Sequence, residues 1–385
     1  METERARFVL EAQLADNSFS ETCRRYGISR PTGYKWLERG KNDLTALTDR
    51  SRRPRSCSHA TGPELVERIL EIKKRRGWGA RKIGRVLEKA IDPFTPPCVD
   101  TVQRILDRHG YVQHSKPRRR QTHPGPPRPF PDRPNGTWTA DFKGEFRTLD
   151  GKLCFPLTVQ DGYSRFLFEC RGMLRLDLEA TIHRFRHLFR QFGLPERIRT
   201  DNGNPFSSRA LGRLSRLSVW WVTLGITPEF IEPGKPQQNP RHERMHRDLK
   251  REVTRPPRPH LAAQQLAFNR WRRIFNIERP HEGLAMETPS AIYRPSERPF
   301  VERPEPLAYP AHFEVRRVSD DSTLRWKCRK VFVSYLFKGY DVGLEQIADG
   351  VWSVFFGPIH LGWLDERDFR IMDVQGKKRR SQREL

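Results

Sequence analysis

The most informative part of this chain is residues 200–250, which read TDNGNPFSSRALGRLSRLSVWWVTLGITPEFIEPGKPQQNPRHERMHRDLK. A short apolar run leads into Asp201, and Asn202 and Gly203 then have the composition of a turn. Glu243 follows near the start of a helix that opens with a proline. The stretch therefore places two carboxylates on two different structural elements.

A third carboxylate lies upstream, because TWTADFKGEF carries Asp141. Mg²⁺ prefers oxygen ligands in octahedral geometry, so a few carboxylates and the phosphate oxygens of a substrate suffice to bind it. Two such ions about 3.5–4 Å apart can activate an attacking oxygen and stabilise a leaving one. The residues Asp141, Asp201 and Glu243 are therefore predicted to be both the catalytic residues and the metal ligands.

Further motifs accompany these carboxylates in a fixed order. They are Trp138-x-x-Asp141-Phe142-Lys143, Asp161-x-x-Ser164-Arg165, Thr200-Asp201-Asn202-Gly203, Pro233-Gly234-x-Pro236-Gln237-x-Asn239, Glu243-Arg244 and Asn276-x-x-Arg279-Pro280-His281. With this ordered set, the chain resembles the DDE transposases of bacterial insertion sequences, which share the retroviral-integrase catalytic core. The resemblance implies a ribonuclease-H-like fold, with Asp141 on the first strand, Asp201 after the fourth, and Glu243 on a helix beside them.

The same resemblance implies an activity. It is that of a transposase, a polynucleotidyl transferase that binds the ends of an insertion sequence and catalyses DNA strand cleavage and strand transfer. The implied cofactors are two Mg²⁺ or Mn²⁺ ions, and the implied partner is double-stranded DNA, both element ends and target. Joining two ends requires at least a dimer, so we expect a homo-multimer assembled on DNA.

The sequence departs from the family pattern in two places. Forty-one residues separate Asp201 from Glu243, a few more than is usual in the family. Leucines and a tryptophan recur here at three- and four-residue steps, from Leu211 to Trp221, which predicts a longer helix. Pro240 replaces the usual glycine, but a proline is tolerated in the first turn of a helix and should leave Glu243 in position.

The predicted fold class is multidomain α+β, with helix-turn-helix modules, a ribonuclease-H-like α/β core and an SH3-like small β-barrel. Strand, helix and linker signals divide the 385 residues into seven segments. These are a helix-turn-helix domain (1–56), a second helix-turn-helix-like domain (60–113), a basic proline-rich linker (114–136), the catalytic core (137–293), another proline-rich linker (294–312), the barrel (313–372) and a basic tail (373–385).

The net charge of +25 points to a polyanionic partner. A membrane surface is the rival partner, but the basic residues are spread over every segment instead of one amphipathic helix. No run of 18 apolar residues and no signal peptide are evident, so we expect a cytoplasmic protein, associated with the nucleoid when bound to DNA.

Candidate DNA contacts fall in three places. The last helix of the first domain would enter the major groove, presenting Arg30, Thr32 and Lys35; the alternative is a basic solvated face. The linker arginines follow a phosphate backbone or belong to a solvated tether. A third set surrounds Glu243. The linker set is Arg118, Arg119 and Arg120, and the set around Glu243 is Arg244, Arg247 and Lys250.

Each carboxylate has a simpler interpretation: a surface strand residue for Asp141, a turn cap for Asp201, and a solvated helix residue for Glu243. All three carboxylates occur together and in the order of the family, which favours the catalytic interpretation. Asp161 is the main rival for the second catalytic aspartate, but its place before Gly162, between two strands, predicts a hairpin-turn residue.

A different enzyme class shares the same residues, because His242-Glu243-x-x-His246 matches the zinc-protease motif H-E-x-x-H. Zinc-protease helices are apolar around the metal, whereas arginines and lysines surround this motif. No third ligand occurs at a usual spacing. We therefore predict that the two histidines face DNA or solvent. A non-catalytic DNA-binding protein derived from a transposase is the other alternative.

Overall fold

The fold is known from a computed structural model, which describes residues 2–14, 18–49, 60–90, 96–113, 131–208, 210–232, 234, 238–374 and 376. The linker arginines predicted to follow DNA, Arg118, Arg119 and Arg120, lie outside these residues. The chain divides into two units, Met1–Val66 and Glu67–Leu385. The predicted boundaries between the seven segments stay predictions.

The first unit contains three helices, α1 (Glu2–Ala12), α2 (Phe19–Arg25) and α3 (Arg30–Gly40). They enclose a small core around Phe8, with Val9, Cys23 and Leu47 also buried. Gly33 allows α3 to approach closely, because a Cβ there would lie 2.8 Å from the Sγ atom of Cys23.

The helix α4 (Pro63–Arg76) crosses the boundary between the units and is followed by α5 (Ala80–Lys89) and α6 (Val99–Arg108). Within the second unit, α5 is tied to the end of the core region. Arg85 and Lys89 both pair with the carboxylate of Glu287, at 2.6 Å each. These groups are partly exposed, so the pairs orient the helix more than they stabilise it.

A mixed sheet forms the centre of the second unit. Its strands are β1 (Thr137–Phe142), β2 (Phe146–Arg147), β3 (Leu153–Asp161), β4 (Leu167–Met173), β5 (Arg197–Thr200) and β6 (Thr227–Phe230). The sheet has the order β2-β3-β1-β5-β6, with β4 also paired to β3. The strand β1 is antiparallel to β3 and parallel to β5, which is parallel to β6. This is the mixed sheet expected of a ribonuclease-H-like core.

Helices cover both faces of this sheet. They are α7 (Leu178–Phe192), α8 (Arg216–Thr223), α9 (Pro240–Leu249), α10 (Leu261–Arg273) and the short α11 (Pro289–Ile292). One core contains Trp138 and Phe189, together with the apolar sides of α7 and α8. A separate core joins Cys170 of β4 to Leu249 of α9 and Phe268 of α10. The helix that carries Glu243 is thus packed on one face of the sheet.

The extra residues between Asp201 and Glu243 do not form the longer helix predicted from their leucine spacing. Leu214 has an extended backbone, and the helix α8 begins only after Ser215, whose side chain caps it. Leu211 and Leu214 are buried in the core of the C-terminal β domain. These leucines are therefore buried against the C-terminal strands without being part of a longer helix.

The C-terminal domain consists of two antiparallel sheets. Its strands are β7 (Glu314–Arg317), β8 (Thr323–Trp326), β9 (Arg329–Phe332), β10 (Asp341–Ala348), β11 (Val351–Phe356), β12 (Ile359–Asp365) and β13 (Arg370–Asp373). Five of them pair in the order β13-β12-β11-β10-β7, and β8 pairs with β9. Within the described residues the five-stranded sheet stays open, so the predicted closed SH3-like barrel is not confirmed.

Candidate active site

Asp141 and Asp201 lie at the same edge of the central sheet. The parallel strands β1 and β5 are in register up to Ala140 and Thr200. The predicted carboxylates Asp141 and Asp201 come directly after these two residues. Because the carboxyl ends of neighbouring parallel strands meet at one edge, the two aspartates are brought together by the register itself.

The turn after β5 holds Asp201 in place. The Gly203 N–H donates to the Oδ1 atom of Asp201 at 3.1 Å, and the Asn202 side chain donates to the carbonyl of Ile231 at 2.8 Å. A Cβ at position 203 would lie 3.1 Å from the Asp201 carboxylate. The Asp-Asn-Gly sequence therefore makes the turn and leaves room for the carboxylate that it positions.

Glu243 is in the first turn of α9, where Pro240 is accommodated as predicted. The opposite side of this helix is buried through Met245 and Leu249. Glu243 itself is exposed. The replacement of the usual glycine by Pro240 thus leaves the carboxylate accessible.

The three carboxylates act on one another electrostatically. The pKa of Asp141 is raised to about 7, first by burial, then by the charge of Asp201, with a further contribution from Glu243. The Phe142 amide and the Lys143 ammonium oppose this shift. Burial also raises the pKa of Asp201. A bound divalent cation would neutralise the negative charge of these partly buried carboxylates and so remove their repulsion.

The two histidines of α9 are not exposed to DNA or solvent, so that prediction was wrong. The exposed fraction is 1% for His242 and 9% for His246. His242 Nδ1 lies 2.8 Å from the Thr139 hydroxyl, and its Nε2 lies 2.8 Å from the Thr158 hydroxyl. His246 Nε2 is 2.7 Å from the same hydroxyl, and its Nδ1 is 3.5 Å from Asp141 Oδ2.

These contacts form a continuous hydrogen-bonded chain from the sheet to Asp141. With Asp141 ionised, one arrangement of hydrogens satisfies all four contacts, in place of the hydrogen bonds that the Thr139 and Thr158 hydroxyls can otherwise donate to the carbonyls of Gln160 and Asp141. The Thr139 hydroxyl donates to His242, which donates to the Thr158 hydroxyl; this in turn donates to His246, whose Nδ1–H points to the carboxylate. Both rings are then neutral, and burial lowers the pKa of His242 to about 3 and that of His246 well below its usual value.

The structure also supplies a third group beside the histidine pair. Donor atoms of Asp141, His242 and His246 all lie within 4.8 Å of one another, close enough to hold a metal ion. The sequence could not reveal this group, since Asp141 is about 100 positions away on a strand. The Thr158 hydroxyl, however, contacts both rings and occupies the space between them.

Asp161 has the turn role predicted for it. Its carboxylate is fully buried and accepts the Asn135 N–H at 2.8 Å and the Ser164 N–H and hydroxyl at 2.7 and 2.6 Å. These donors occupy the side chain and close the turn between β3 and β4. Asp161 therefore belongs to the scaffold.

The predicted DNA residues Arg244 and Arg247 of α9, and Lys250 directly after this helix, are all exposed. Burial, then the charge of Lys250, lowers the pKa of Lys143, which follows Asp141 by two positions. Lys143 was not among the predicted contacts; its position directly after the first carboxylate motif is the signal that could have identified it. Lys143 and Lys250 together place positive charge beside the carboxylates.

In the first unit, Arg30 and Lys35 are exposed on α3, whereas Thr32 is partly buried. The Ser29 side chain accepts the Thr32 N–H, and the two hydroxyls lie 2.9 Å apart. Thr32 therefore takes part in capping the helix. Arg30 donates to the Ser20 hydroxyl at 2.8 Å, which orients its guanidinium on the surface.

Four protein-family models match the chain. Two models described as an integrase core domain match residues 131–236 and 224–289. A homeodomain-like domain matches residues 32–106, and a helix-turn-helix domain matches residues 4–55. Along the residues described, no helix is long and apolar enough to cross a membrane.

Among curated proteins, the chain is similar to two insertion-element proteins. It is 30% identical over 168 residues to an uncharacterized 31.7 kDa protein of IS407 from Burkholderia multivorans, covering 42% of this chain and 56% of that protein. It is 29% identical over 169 residues to an uncharacterized 39.2 kDa protein of IS476 from Xanthomonas euvesicatoria, covering 41% and 44%. The match thus spans about half the length of these relatives.

Among solved structures, the HTLV-2 integrase catalytic core in complex with magnesium is 17% identical, with a TM-score of 0.34, covering 42% of this chain and 99% of that one. A simian T-cell lymphotropic virus intasome, in complex with a PP2A regulatory subunit, is 16% identical, with a TM-score of 0.37, covering 76% and 97%. The family models and the insertion-element relatives confirm the resemblance predicted from the motifs: the chain is similar to insertion-element proteins, and segments that match an integrase core follow segments that match helix-turn-helix domains.

Proposed function

We propose that the protein is a transposase that cleaves DNA at the ends of an insertion sequence and transfers the freed ends to target DNA. The observation that carries this proposal is that the parallel strands β1 and β5 are in register up to the residues directly before Asp141 and Asp201. Burial, then the charge of Asp201, with a smaller contribution from Glu243, raises the pKa of Asp141. Integrase-core relatedness supports the class of chemistry, which is phosphoryl transfer.

Asp141, Asp201 and Glu243 would hold two Mg²⁺ or Mn²⁺ ions, which supply activation of the attacking oxygen and charge stabilisation at the phosphodiester. The carboxylates orient the reacting phosphate, with Asp141 and Asp201 fixed by the strand register and Glu243 by α9. Lys143 and Lys250 attract the phosphate backbone to the same edge. No side chain needs to form a covalent intermediate, so we assign no nucleophile.

The remaining assignments follow from this reaction. The helix-turn-helix domains would recognise the element ends, with Arg30 and Lys35 on the recognition helix and Thr32 donating its N–H to the cap residue Ser29. Because two ends must be joined, we propose a homo-multimer assembled on double-stranded DNA. Such a protein would work in the cytoplasm, on the nucleoid.

The test is strand cleavage and joining on DNA from the flanks of the gene, with Mg²⁺. Wild type should cleave, whereas Asp201→Asn should bind the same DNA without cleaving it. Asp320→Asn, which changes an exposed aspartate of the C-terminal domain, serves as the matched control and should keep full activity. If wild type and Asp201→Asn cleave equally, the catalytic assignment is wrong. If both bind and neither cleaves, the protein is the non-catalytic DNA binder.

One observation favours a second candidate, a zinc metalloprotease, because Asp141 lies within metal-binding reach of His242 and His246. Zinc there would have to displace the Thr158 hydroxyl, which contacts both rings. Stoichiometric zinc in the purified protein that is lost in His246→Ala, together with peptide cleavage, would support the protease. Absence of bound zinc would exclude it.

A further inference from the structure

The helix α9 has a second functional flank, away from the carboxylates. Successive residues of an α-helix are separated by about 100°, so Arg241 and Arg244 point away from the direction of Glu243. They line a cavity of about 460 Å³ on that flank. Arg244 was predicted to contact DNA beside Glu243, but it faces this separate cavity.

The cavity has an excess of positive charge. Its charged lining residues are five cations, Lys82, Arg165, Arg241, Arg244 and Arg279, and two carboxylates, Asp248 and Glu282. Asp248 is already bonded to the guanidinium of Arg279 and lies 3.2 Å from that of Arg251. The cavity lining therefore carries more cationic than anionic side chains.

Arg165 is the residue that most clearly lacks a counterion. Its Nε atom is buried and has no hydrogen-bond partner among the described residues. It closes the turn after β3 with φ = 61°, and its N–H donates to the Asp161 carbonyl at 3.0 Å. A guanidinium that is held by a turn and lines a cavity can offer its remaining N–H groups to an anion there.

The tail of the core region covers this guanidinium. Gly283 lies directly against it, since a Cβ at that position would lie 2.0 Å from the Nη2 atom of Arg165. The tail is itself anchored, because the Asn276 side chain bonds both backbone groups of Leu167, at 2.8 and 2.9 Å. The motif Asn276-x-x-Arg279-Pro280-His281 thus builds one wall of the cavity.

The cations of the cavity repel one another. Burial and the charges of Arg241 and Arg244 lower the pKa of Arg165. Burial, then the charge of Arg279, lowers the pKa of Lys82 to about 8. An anion bound between them would remove this repulsion, which adds to its affinity.

A neighbouring cavity of about 430 Å³ shares three cations, Lys82, Arg244 and Arg279, and the carboxylates Asp248 and Glu282 with the first. It continues past Arg81 on α5 and Gln103 on α6. The two form a groove that is longer than a single phosphate ion needs. A strand of nucleic acid, with phosphates repeating along a chain, fits such a groove better than a free anion does.

We propose that this groove binds the phosphodiester backbone of a DNA strand, with Arg165 and Arg244 on one phosphate, separately from the strand that reaches Asp141. The identity of the ligand as DNA rests on the proposed function. The site itself rests on the cavity, on its excess of cationic side chains and on the buried Nε atom of Arg165, which has no hydrogen-bond partner among the described residues.

The test compares two variants of the full chain with two matched controls. Arg165→Gln removes the charge, and Gly283→Ala keeps every charge but displaces the guanidinium. Arg175→Gln, an arginine whose side chain is 83% exposed, and Gly144→Ala, where a Cβ meets no atom within 4 Å, are the controls. Thermal unfolding checks that all four variants are folded.

DNA affinity is measured against salt concentration on several unrelated duplexes. Loss of one phosphate contact lowers the slope of log affinity against log salt by about 1 and weakens binding equally for every sequence, on the order of tenfold. We expect this for Arg165→Gln, a smaller loss for Gly283→Ala, and wild-type behaviour for both controls. Unchanged slopes for Arg165→Gln and Gly283→Ala would overturn the proposal.

Two further outcomes are informative. If pyrophosphate raises the melting temperature of wild type but not of Arg165→Gln, and the salt slopes for DNA are equal, the cavity binds a free phosphate and the DNA assignment is wrong. Cleavage is assayed in parallel on wild type and Asp201→Asn. A wild type that fails to cleave, combined with the expected slope change, refutes the transposase function and leaves the groove as a DNA site.

Discussion

The hydroxyl of Thr158 is predicted to be a main determinant of the stability of the catalytic region. It lies 2.8 Å from His242 Nε2 and 2.7 Å from His246 Nε2, and 3.0 Å from the carbonyl of Asp141. Thr158→Val replaces this hydroxyl with a methyl group of similar size. Two buried ring nitrogens then lose their partner at the centre of the sheet.

The expected loss follows from the number of groups left unsatisfied. Each buried polar atom without a partner costs about 1–3 kcal/mol, so the two histidine nitrogens together cost about 2–6 kcal/mol. That is a large part of the roughly 5–15 kcal/mol by which domains are stable. Thr158→Ser keeps the hydroxyl and removes one methyl group, at a cost of about 1 kcal/mol.

The assay is equilibrium unfolding in urea, followed by near-ultraviolet circular dichroism, which reports on buried aromatic residues such as Trp138 and Trp221. The valine variant should unfold at a clearly lower urea concentration than the serine variant, with a similar dependence on urea. If Thr158→Val is as stable as Thr158→Ser, the hydrogen-bonded chain does not contribute as argued, and the histidines are held by packing alone.

Three more predictions concern other parts of the second unit. Burial, then the charge of Arg279, lowers the pKa of His281 to about 3 in the folded protein. Because the unfolded chain binds this proton already near pH 6.5, the free energy of unfolding falls by about 1.4 kcal/mol per pH unit as pH drops below 6.5. His281→Gln should therefore reduce the slope of unfolding free energy against pH between 6 and 4, and an unchanged slope would contradict this. Gly203→Ala crowds the Asp201 carboxylate and should lower the cleavage rate about tenfold while leaving DNA affinity intact, because a 1 Å displacement of a catalytic group can lower the rate by even more. Full cleavage activity would show that the carboxylate tolerates the methyl group. Asn276→Ala removes both hydrogen bonds to Leu167 and should destabilise the core region by about 2–5 kcal/mol in urea unfolding, unlike an alanine substitution of the exposed Glu145.

The places of the proposed catalytic carboxylates in the fold could be predicted from the sequence because their signals are local. A turn sequence directly after an apolar run identifies Asp201, and a proline-initiated helix identifies the position of Glu243. The turn role of Asp161 was likewise correct, since serine and glycine next to it define the turn. Each of these features depends on neighbours a few positions away.

Other features depended on which distant segment covers a given surface. His242 and His246 have a spacing that fits a metal site, a DNA-facing surface or a buried face equally well, and only the packing of α9 on β1 and β3 selects the buried face. The leucines at 211 and 214 have helical spacing but are buried by the C-terminal domain.

Residue types and their order were therefore enough to predict the candidate carboxylates, the helix-turn-helix modules and the excess of positive charge. The tertiary structure alone decided the surroundings, namely the hydrogen-bonded chain behind Asp141 and the groove around Arg165. The reason is physical, because residue type and periodicity report on neighbours along the chain. Burial and charge compensation are set by contacts between segments that are far apart in sequence.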